Sequence, residues 1–229
     1  KEGLTINIVR ALFDFWVSSE QSYRAAGNGR LADGALRNAT QLCFGWFGLR
    51  RASELFVNPN GTMGLRVRDV VVTSGSHVTL FIRKQKNDPY SRGSEVVLAW
   101  ISGSGIPIGD CVVRLLARLH ASGLGGDDAF FCPTHLRVGG FRLPSPSGFR
   151  PTGTLVVALK LLFADCRSNS DLVSRFSWHS LRRGGASWAF RNGVPLQSVM
   201  RHGVWQSAGG IKPYIAVDLS SKLTVTLAM

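Results

Sequence analysis

The spacing of apolar residues over the first fifty positions predicts two helices. The apolar positions of the first helix, three or four residues apart, are Ile8, Leu12, Phe13 and Trp16. Thr5 is suited to cap the start of this helix, which is expected to end near residues 18–19. Residues 21–33 contain two glycines among mixed polar residues and are expected to form a connection. A second helix is expected over residues 34–47.

The pattern then changes from helical spacing to runs of β-branched and aromatic residues separated by turn residues. Residues 65–72, 78–82 and 95–100 are predicted to be three strands of a small antiparallel sheet. The link between the second and third strands places Lys84 and Lys86 at the tip of a β-hairpin. Because a hairpin tip reaches outward from the core, both ammonium groups are expected to face solvent or a ligand.

The second half of the chain is predicted to be mostly helical. Its expected helices are a helix capped by Asp110 and ending at His120, a helix over residues 154–166, a helix over residues 180–190, and a short helix from Pro195 to Arg201. Residues 132–153 are rich in Pro, Gly and Arg and are expected to form a surface loop. Arg137, Arg142 and Arg150 on this loop are candidates for phosphate contacts, with a merely solvated loop as the alternative. The fold class is therefore mainly α with a small three-stranded antiparallel sheet.

Composition and charge indicate a globular protein that binds a polyanion. The 229 residues are 45% apolar, enough to fill a core. Twenty-seven Lys and Arg face 14 Asp and Glu, a net charge of +13. Residues 129–229 carry 12 Lys and Arg against three Asp. Solubility rarely needs so strong a bias, so nucleic acid is the favoured partner.

The cysteines and the hydropathy favour an intracellular protein. The four cysteines lie far apart without a zinc-ligand spacing, so reduced thiols and no metal site are expected. No apolar run of about 18 residues predicts a membrane span, and no signal peptide is visible. The expected compartment is the nucleus for a eukaryotic protein and the cytoplasm or nucleoid for a bacterial one. Because the chain opens on Lys1, a fragment of a longer protein is expected.

Residues 178–214 concentrate the side chains that suit phosphate chemistry. They contain His179, Arg182, Arg183, Trp205 and Tyr214, with no acidic residue among them. Cations and neutral donors can surround a phosphodiester, and a tyrosine oxygen that has lost its proton can attack phosphorus. This stretch therefore predicts a site for covalent chemistry on a phosphodiester.

Three motifs, in order, resemble those of the tyrosine recombinase, or phage integrase, family. Residues 48–55 (GLRRASEL) are similar to its first arginine motif, and residues 179–182 (HSLR) to its H-x-x-R motif. Its third motif is a glycine near a His or Trp, with the tyrosine about nine residues later, and residues 203–214 are similar to it. The pattern of Lys86, Asp88 and Gly93 is similar to that of eukaryotic and algal retroelement members. The distance from Lys86 to Gly93 and the Trp of the third motif are similar to those of Cre. The resemblance covers nearly the whole chain.

The resemblance implies a catalytic domain over residues 1–229, without the family's N-terminal core-binding domain. It implies that the following residues are catalytic: Arg51, Lys86, His179, Arg182, Trp205 and Tyr214. Arg51 and Arg182 would hold the phosphate, Lys86 would protonate the leaving oxygen, with Lys84 as the alternative, and Glu54 would orient a neighbouring side chain. Neither metal ion nor ATP would be required.

The resemblance also implies double-stranded DNA as the partner and a homotetramer on paired sites, with apolar residues of the tail 216–229 mediating assembly. Alternatives within the same chemistry are a type IB topoisomerase and a telomere resolvase. A non-catalytic DNA-binding module of this fold is the alternative from another class.

Several neighbouring residues have less specific interpretations. Arg50 is expected to be a solvated neighbour of Arg51, and Arg183 a surface or DNA-backbone contact. Trp188 and Phe190 are expected to lie in the core. His202 has the residue type of the third motif, but the spacing to the tyrosine selects Trp205.

Overall fold

The computed structural model describes residues 3–58, 62, 64–83, 93–134, 140–142, 151–162, 173 and 175–214. The helices are α1 (Ile6–Ala25), α2 (Gly29–Trp46), α3 (Ala52–Leu55), α4 (Ile108–Ala121), α5 (Pro151–Leu162), α6 (Trp178–Arg191), α7 (Leu196–Gly203) and α8 (Ala208–Ile211). The strands are β1 (Val70–Thr73), β2 (His77–Ile82) and β3 (Ser94–Ala99), and 3₁₀ turns cover Val67–Asp69 and Lys212–Tyr214. The predicted mainly α class with a small sheet is confirmed.

The long helices α1 and α2 pack against each other and are joined by a connection of three residues, 26–28. Thr5 caps α1 as predicted, its hydroxyl accepting from Ile8 N at 3.5 Å. The predicted end of α1 near residues 18–19 is wrong, because the helix continues to Ala25. Buried Glu20 pairs one turn later with Arg24 at 3.0 Å, so these polar residues belong to the helix and not to a loop.

The sheet is antiparallel in the order β1-β2-β3, as predicted. Residues 67–69, expected to be part of the first strand, form a 3₁₀ turn instead. Asp69 explains the difference, since its carboxylate accepts from Arg66 N at 3.2 Å and closes that turn. The hairpin tip with Lys84 and Lys86 lies outside the described residues.

The helices that follow the sheet differ from the prediction mainly at their ends. Pro107, and not Asp110, occupies the N-cap of α4, and Asp110 lies in the first turn, where a carboxylate interacts favourably with the helix dipole. Helix α5 starts at Pro151, three residues earlier than predicted, and its predicted continuation to residue 166 lies outside the described residues. None of the helices within the described ranges is long and apolar enough to cross a membrane.

Two glycines of α6 allow this helix to pack closely against the end of α2. A Cβ on Gly184 would lie 2.2 Å from Trp46 Cζ3, and a Cβ on Gly185 would lie 2.3 Å from Trp46 O. Only glycine permits this approach, which turns the glycine face of α6 inward. The prediction that Trp188 is core is wrong, since its side chain is 41% exposed; Phe190 is half-buried.

The cysteines among the described residues are free and buried, namely Cys43, Cys111 and Cys132. Burial raises the pKa of each of these thiols above its usual value. Thiols of this kind are unreactive at neutral pH. The prediction of reduced, buried cysteines is confirmed for these three, and Cys166 lies outside the described residues.

Candidate active site

The turn between α2 and α3 presents Arg51. Helix α2 ends at Trp46, and Arg51 is the N-cap of α3. Arg51 Nη1 donates to Glu54 Oε1 at 2.9 Å, and Arg51 N donates to Glu54 Oε2 at 3.0 Å. These two contacts place the Glu54 carboxylate against both the backbone and the guanidinium of Arg51. Glu54 is buried, while 17% of the Arg51 side chain remains exposed, so this guanidinium is both oriented and accessible.

Arg50 is fully buried, and its predicted role as a solvated neighbour is wrong. Its Nε donates to Gly48 O at 2.6 Å and its Nη2 to His202 O at 2.7 Å. Its Nη1 lies 3.6 Å from Glu54 Oε2 and has no hydrogen-bond partner. The sequence carries no signal for this burial, because the partners are backbone carbonyls, which every residue has.

Arg182 is the second fully buried arginine of the site. It lies on α6 one turn after His179, its Nη1 donates to Leu49 O, and its Nη2 donates to Gly203 O at 2.8 Å. Its Nε has no partner. Burial, followed by the charge of Arg51, lowers the pKa of Arg182 below its usual value. Arginine nevertheless keeps its proton in proteins, so a full positive charge lies here.

Aromatic rings cover this charge. The Arg182 Cζ atom lies 3.9 Å from the centroid of the Trp205 ring and 5.5 Å from that of Tyr214. The ring face attracts a cation, and the interaction strengthens where water is excluded. Trp205 Nε1 is buried without a hydrogen-bond partner. Gly203 makes room for the indole, because a Cβ there would lie 1.7 Å from Trp205 Cζ3.

Tyr214 closes the site beside His179. The centroids of these rings are 4.9 Å apart, His179 is exposed, and Tyr214 is half-buried. The segment is tied to α6 by its backbone, since Ser187 Oγ donates to Tyr214 O at 2.6 Å and Arg183 Nη2 donates to Pro213 O. Arg183 thus holds the tyrosine segment, a role that its sequence position did not indicate.

His202 faces a different neighbour from Trp205. Its Nε2 lies 2.7 Å from Phe47 O, and because a carbonyl can only accept, this nitrogen carries the proton. Burial lowers the pKa of His202 below its usual value, the hydrogen bond to Phe47 O opposes this, and Arg50 adds to the lowering. The structure therefore brings Trp205, and not the His202 ring, onto Arg182.

Two strained turns meet at the buried arginines. Leu49, with φ of 53°, and Val204, with φ of 55°, are the residues other than glycine that have a positive φ in the described part of the chain. A left-handed conformation costs such residues about 1–2 kcal/mol each. Leu49 lies next to Gly48, whose carbonyl accepts from Arg50, and Val204 lies next to Gly203, whose carbonyl accepts from Arg182. The two buried arginines therefore help to hold both turns in this conformation.

The structure brings together most of the predicted site. Arg51, Glu54, His179, Arg182, Trp205 and Tyr214 converge at the junction of the 48–51 turn, α6 and the 203–214 segment. Arg142 is exposed on the loop whose backbone pairs with Pro133, so it is placed apart from the contacts described above. Lys84, Lys86, Arg137 and Arg150 lie outside the described residues, as does the tail 216–229.

No protein-family model and no curated protein matches the chain. It is similar to solved structures of the XerH site-specific recombinase bound to palindromic difH substrate, at 13% identity and a TM-score of 0.57, covering 99% of this chain and 52% of that chain. It is also similar to XerA recombinase, at 15% identity and a TM-score of 0.56, covering 100% of this chain and 63% of that chain. A structure of the Tn1549 transposon integrase with transposon right end DNA has 11% identity and a TM-score of 0.53, covering 99% of this chain and 65% of that chain.

The chain thus spans between half and two thirds of the length of these structures. Nothing in the similarities supports a eukaryotic origin. The resemblance to tyrosine recombinases predicted from the motifs is confirmed at the level of the fold.

Proposed function

We propose that this chain is the catalytic part of a tyrosine recombinase, which breaks and rejoins DNA through a covalent phosphotyrosine. The observation that carries the proposal is a charge imbalance beside a tyrosine. Arg50, Arg51 and Arg182 are gathered around one carboxylate, Glu54, and Tyr214 covers the cluster. A phosphodiester anion supplies the negative charge that such a cluster attracts, and its phosphorus is the atom a tyrosine oxygen would attack.

In the proposed reaction, the Tyr214 oxygen forms a bond to phosphorus while the bond from phosphorus to the 5′ oxygen breaks. The tyrosine proton passes to His179 or to solvent, and the 5′ oxygen receives a proton from Lys86, with Lys84 as the alternative donor. The 3′ phosphate remains on Tyr214 as a diester. Attack by a 5′ hydroxyl reverses the step and rejoins the strand, so the proposed reaction uses neither ATP nor a metal ion.

The arginines would divide the work of stabilising the transition state. Arg51 offers the accessible guanidinium, already oriented by Glu54. Arg182 lies beneath the rings of Trp205 and Tyr214 and would also donate to the phosphate. Because each of its terminal nitrogens carries two hydrogens, N–H groups remain after its contacts to Leu49 O and Gly203 O. Trp205 adds an indole N–H that has no partner. Fixed donors of this kind stabilise the charge that develops on the phosphate oxygens.

The proposed partner is double-stranded DNA. The net charge of +13 supports it, as does the fold shared with XerH and Tn1549 integrase structures that were solved with DNA. Phosphate contacts would dominate the affinity, which should therefore fall steeply with added salt. A homotetramer on paired DNA sites, assembled through the tail 216–229, remains part of the proposal.

A covalent-trapping assay tests the proposed function. The chain would be mixed, in EDTA, with a labelled library of nicked duplexes of randomised sequence. The nick makes the fragment that leaves with a free 5′ hydroxyl short enough to dissociate, so that it cannot reverse the cleavage. After denaturation, a protein–DNA adduct is expected, with a nucleotide on the peptide that contains Tyr214 by mass spectrometry. Tyr214→Phe, which keeps the ring and removes the nucleophile, should bind DNA equally well and give no adduct.

Two results would redirect the proposal. A folded chain that binds the library in a salt-dependent manner but gives no adduct would contradict it and favour the non-catalytic binding module. An adduct accompanied by relaxation of a single supercoiled plasmid, without exchange between two duplexes, would favour a type IB topoisomerase.

A further inference from the structure

The segment that presents Tyr214 follows a turn whose position depends on a long-range contact. Helix α7 ends at Gly203, and Val204 takes the left-handed conformation that turns the chain toward Trp205. The corresponding turn after α2 contains Leu49, also left-handed. Neither residue prefers this conformation, so the surrounding contacts must hold both turns in place.

Arg50 joins these two turns directly. It donates from Nε to Gly48 O, beside Leu49, and from Nη2 to His202 O, at the end of α7. Its own backbone carbonyl accepts from Trp178 Nε1 at 3.1 Å, which fixes the start of α6. The buried side chain of Arg50 therefore connects the Arg51 turn to the segment leading to Tyr214, and its backbone carbonyl adds a contact to the helix of His179 and Arg182.

We propose that Arg50 is a positioning residue, which locks the α7–Trp205 turn onto the Arg51 turn and so sets the place of Tyr214 relative to Arg51. This inference rests on the proposed function for its catalytic consequence. It assigns a role to a residue outside the predicted catalytic set. Arg182 bridges the next carbonyl of each turn, Leu49 O and Gly203 O, so the two arginines together fix both the separation and the orientation of the turns.

The geometry requires arginine and not merely a positive charge. A guanidinium can donate in two directions at once from a rigid plane, whereas a lysine ammonium is a single point on a flexible stem. Arg50→Lys should therefore keep the charge and lose one of the two bridged carbonyls. Arg50→Leu removes both contacts and leaves His202 O without its donor.

Arg37 offers the matched control. It is also a buried arginine that donates to a backbone carbonyl, from Nη1 to Cys132 O at 3.2 Å, and its guanidinium also donates to Asn38 Oδ1. Arg37→Leu thus reproduces the loss of a buried guanidinium and leaves in place the bonds from Arg50 and Arg182 to the two turns. All rates would be compared per folded molecule, at a temperature below the unfolding transition of every variant.

The first readout is the rate of adduct formation in the trapping assay, beside DNA affinity. We expect Arg50→Leu to lower the rate about 100-fold, the loss typical of a misplaced reacting group, and to lower DNA affinity much less, since Arg51 and Arg182 keep their charges. Arg50→Lys should lie between Arg50→Leu and the unmodified chain, and Arg37→Leu should match the unmodified chain. An Arg50→Leu variant that forms adduct at the unmodified rate per folded molecule would overturn the inference.

The second readout does not depend on catalysis. Trp205 N donates to Met200 O at 2.9 Å and Val204 N to Arg201 O at 3.1 Å, so both amides should exchange slowly with deuterium. Arg50→Leu should accelerate exchange in the peptide covering residues 200–214, and Arg37→Leu should not. If the unmodified chain forms no adduct, the proposed function fails, and unchanged exchange in Arg50→Leu would separately refute the positioning role.

Discussion

Arg182 lies beneath the indole of Trp205, with its Cζ atom 3.9 Å from the ring centroid. Because Arg182 is fully buried, the Trp205 ring face contacts this cation where water would otherwise solvate it. Desolvated cation–π contacts of this kind contribute about 2 kcal/mol to stability. The same indole carries an N–H without a partner. Trp205 therefore combines a structural contact with a donor that the proposed reaction would use on a phosphate oxygen, and substitutions can separate the two.

Trp205→Phe should keep an aromatic face over Arg182 and lose the donor. A hydrogen bond to a charged group contributes about 1.5–3 kcal/mol, so adduct formation should slow roughly 10- to 100-fold while the fold persists. Trp205→His restores a ring N–H and should recover much of the rate. Single-turnover trapping kinetics measure this, with Trp188→Phe as the control at an exposed tryptophan. Equal rates for Trp205→Phe and the unmodified chain would show that the indole N–H plays no part.

Glu54→Gln should destabilise the chain strongly. Glu54 is the carboxylate paired with both Arg50 and Arg51, and its removal leaves buried guanidinium groups uncompensated. Breaking a buried pair in this way costs about 3–5 kcal/mol. Urea denaturation, followed by far-UV circular dichroism, measures the free energy of unfolding.

Asp127→Asn provides the control for that experiment. Asp127 also pairs with two arginines, Arg66 and Arg68, but its side chain is 61% exposed. Exposed pairs contribute at most about 1 kcal/mol, so this variant should unfold near the unmodified midpoint. If Glu54→Gln and Asp127→Asn lost similar free energies of unfolding, burial would not determine how much these ion pairs contribute to stability.

Gly203→Ala should destabilise the chain although it lies at the end of a helix. Helix propensity alone would predict a gain of up to about 1 kcal/mol from alanine. The added Cβ would instead overlap the Trp205 ring, and overpacking of this kind costs about 1–3 kcal/mol. Gly209→Ala on α8 is the control, since its Cβ would meet Ser207 Oγ at an ordinary 3.8 Å. Thermal unfolding should move the two variants in opposite directions, and a stabilised Gly203→Ala would contradict the packing shown at Trp205.

The parts of the fold and site that could be predicted are those with a local signal. Runs of β-branched and aromatic residues separated by turn residues predicted the sheet, because such residues favour strands. The first arginine motif and the H-x-x-R motif are also local, and the structure places Arg51 beside Glu54 and His179 one helical turn before Arg182.

The parts that could not be predicted depend on contacts between distant segments. Arg50 and Arg51 are adjacent and chemically identical, and Arg50 is the buried one, with Gly48 O and the distant His202 O accepting from its guanidinium. Trp188 was predicted to be core by its type and spacing, but it is exposed. The close approach of α6 to the end of α2 is made by Gly184 and Gly185 and is visible only once the helices are packed.

The stability of the chain should fall in mild acid, in part through His202. Burial lowers the pKa of His202 in the folded chain, so the unfolded chain takes up a proton more readily. The contribution of His202 to the free energy of unfolding is therefore fully present above its pKa in the unfolded chain, about 6.5. It is lost as the pH falls below that value toward the lower pKa of His202 in the folded chain. Protonation would also place another cation beside Arg50.

His202→Gln should remove this component, because a glutamine amide can still donate to Phe47 O but does not titrate. We expect the unmodified chain to lose roughly 1 kcal/mol more than His202→Gln between about pH 8 and about pH 5.5, measured by urea denaturation. His120→Gln, at an exposed histidine near the end of α4, should follow the unmodified chain. Parallel pH profiles for His202→Gln and the unmodified chain would show that His202 takes up its proton equally in both states. In that case the hydrogen bond to Phe47 O would offset the burial, and the turn that carries Trp205 would not depend on a neutral His202.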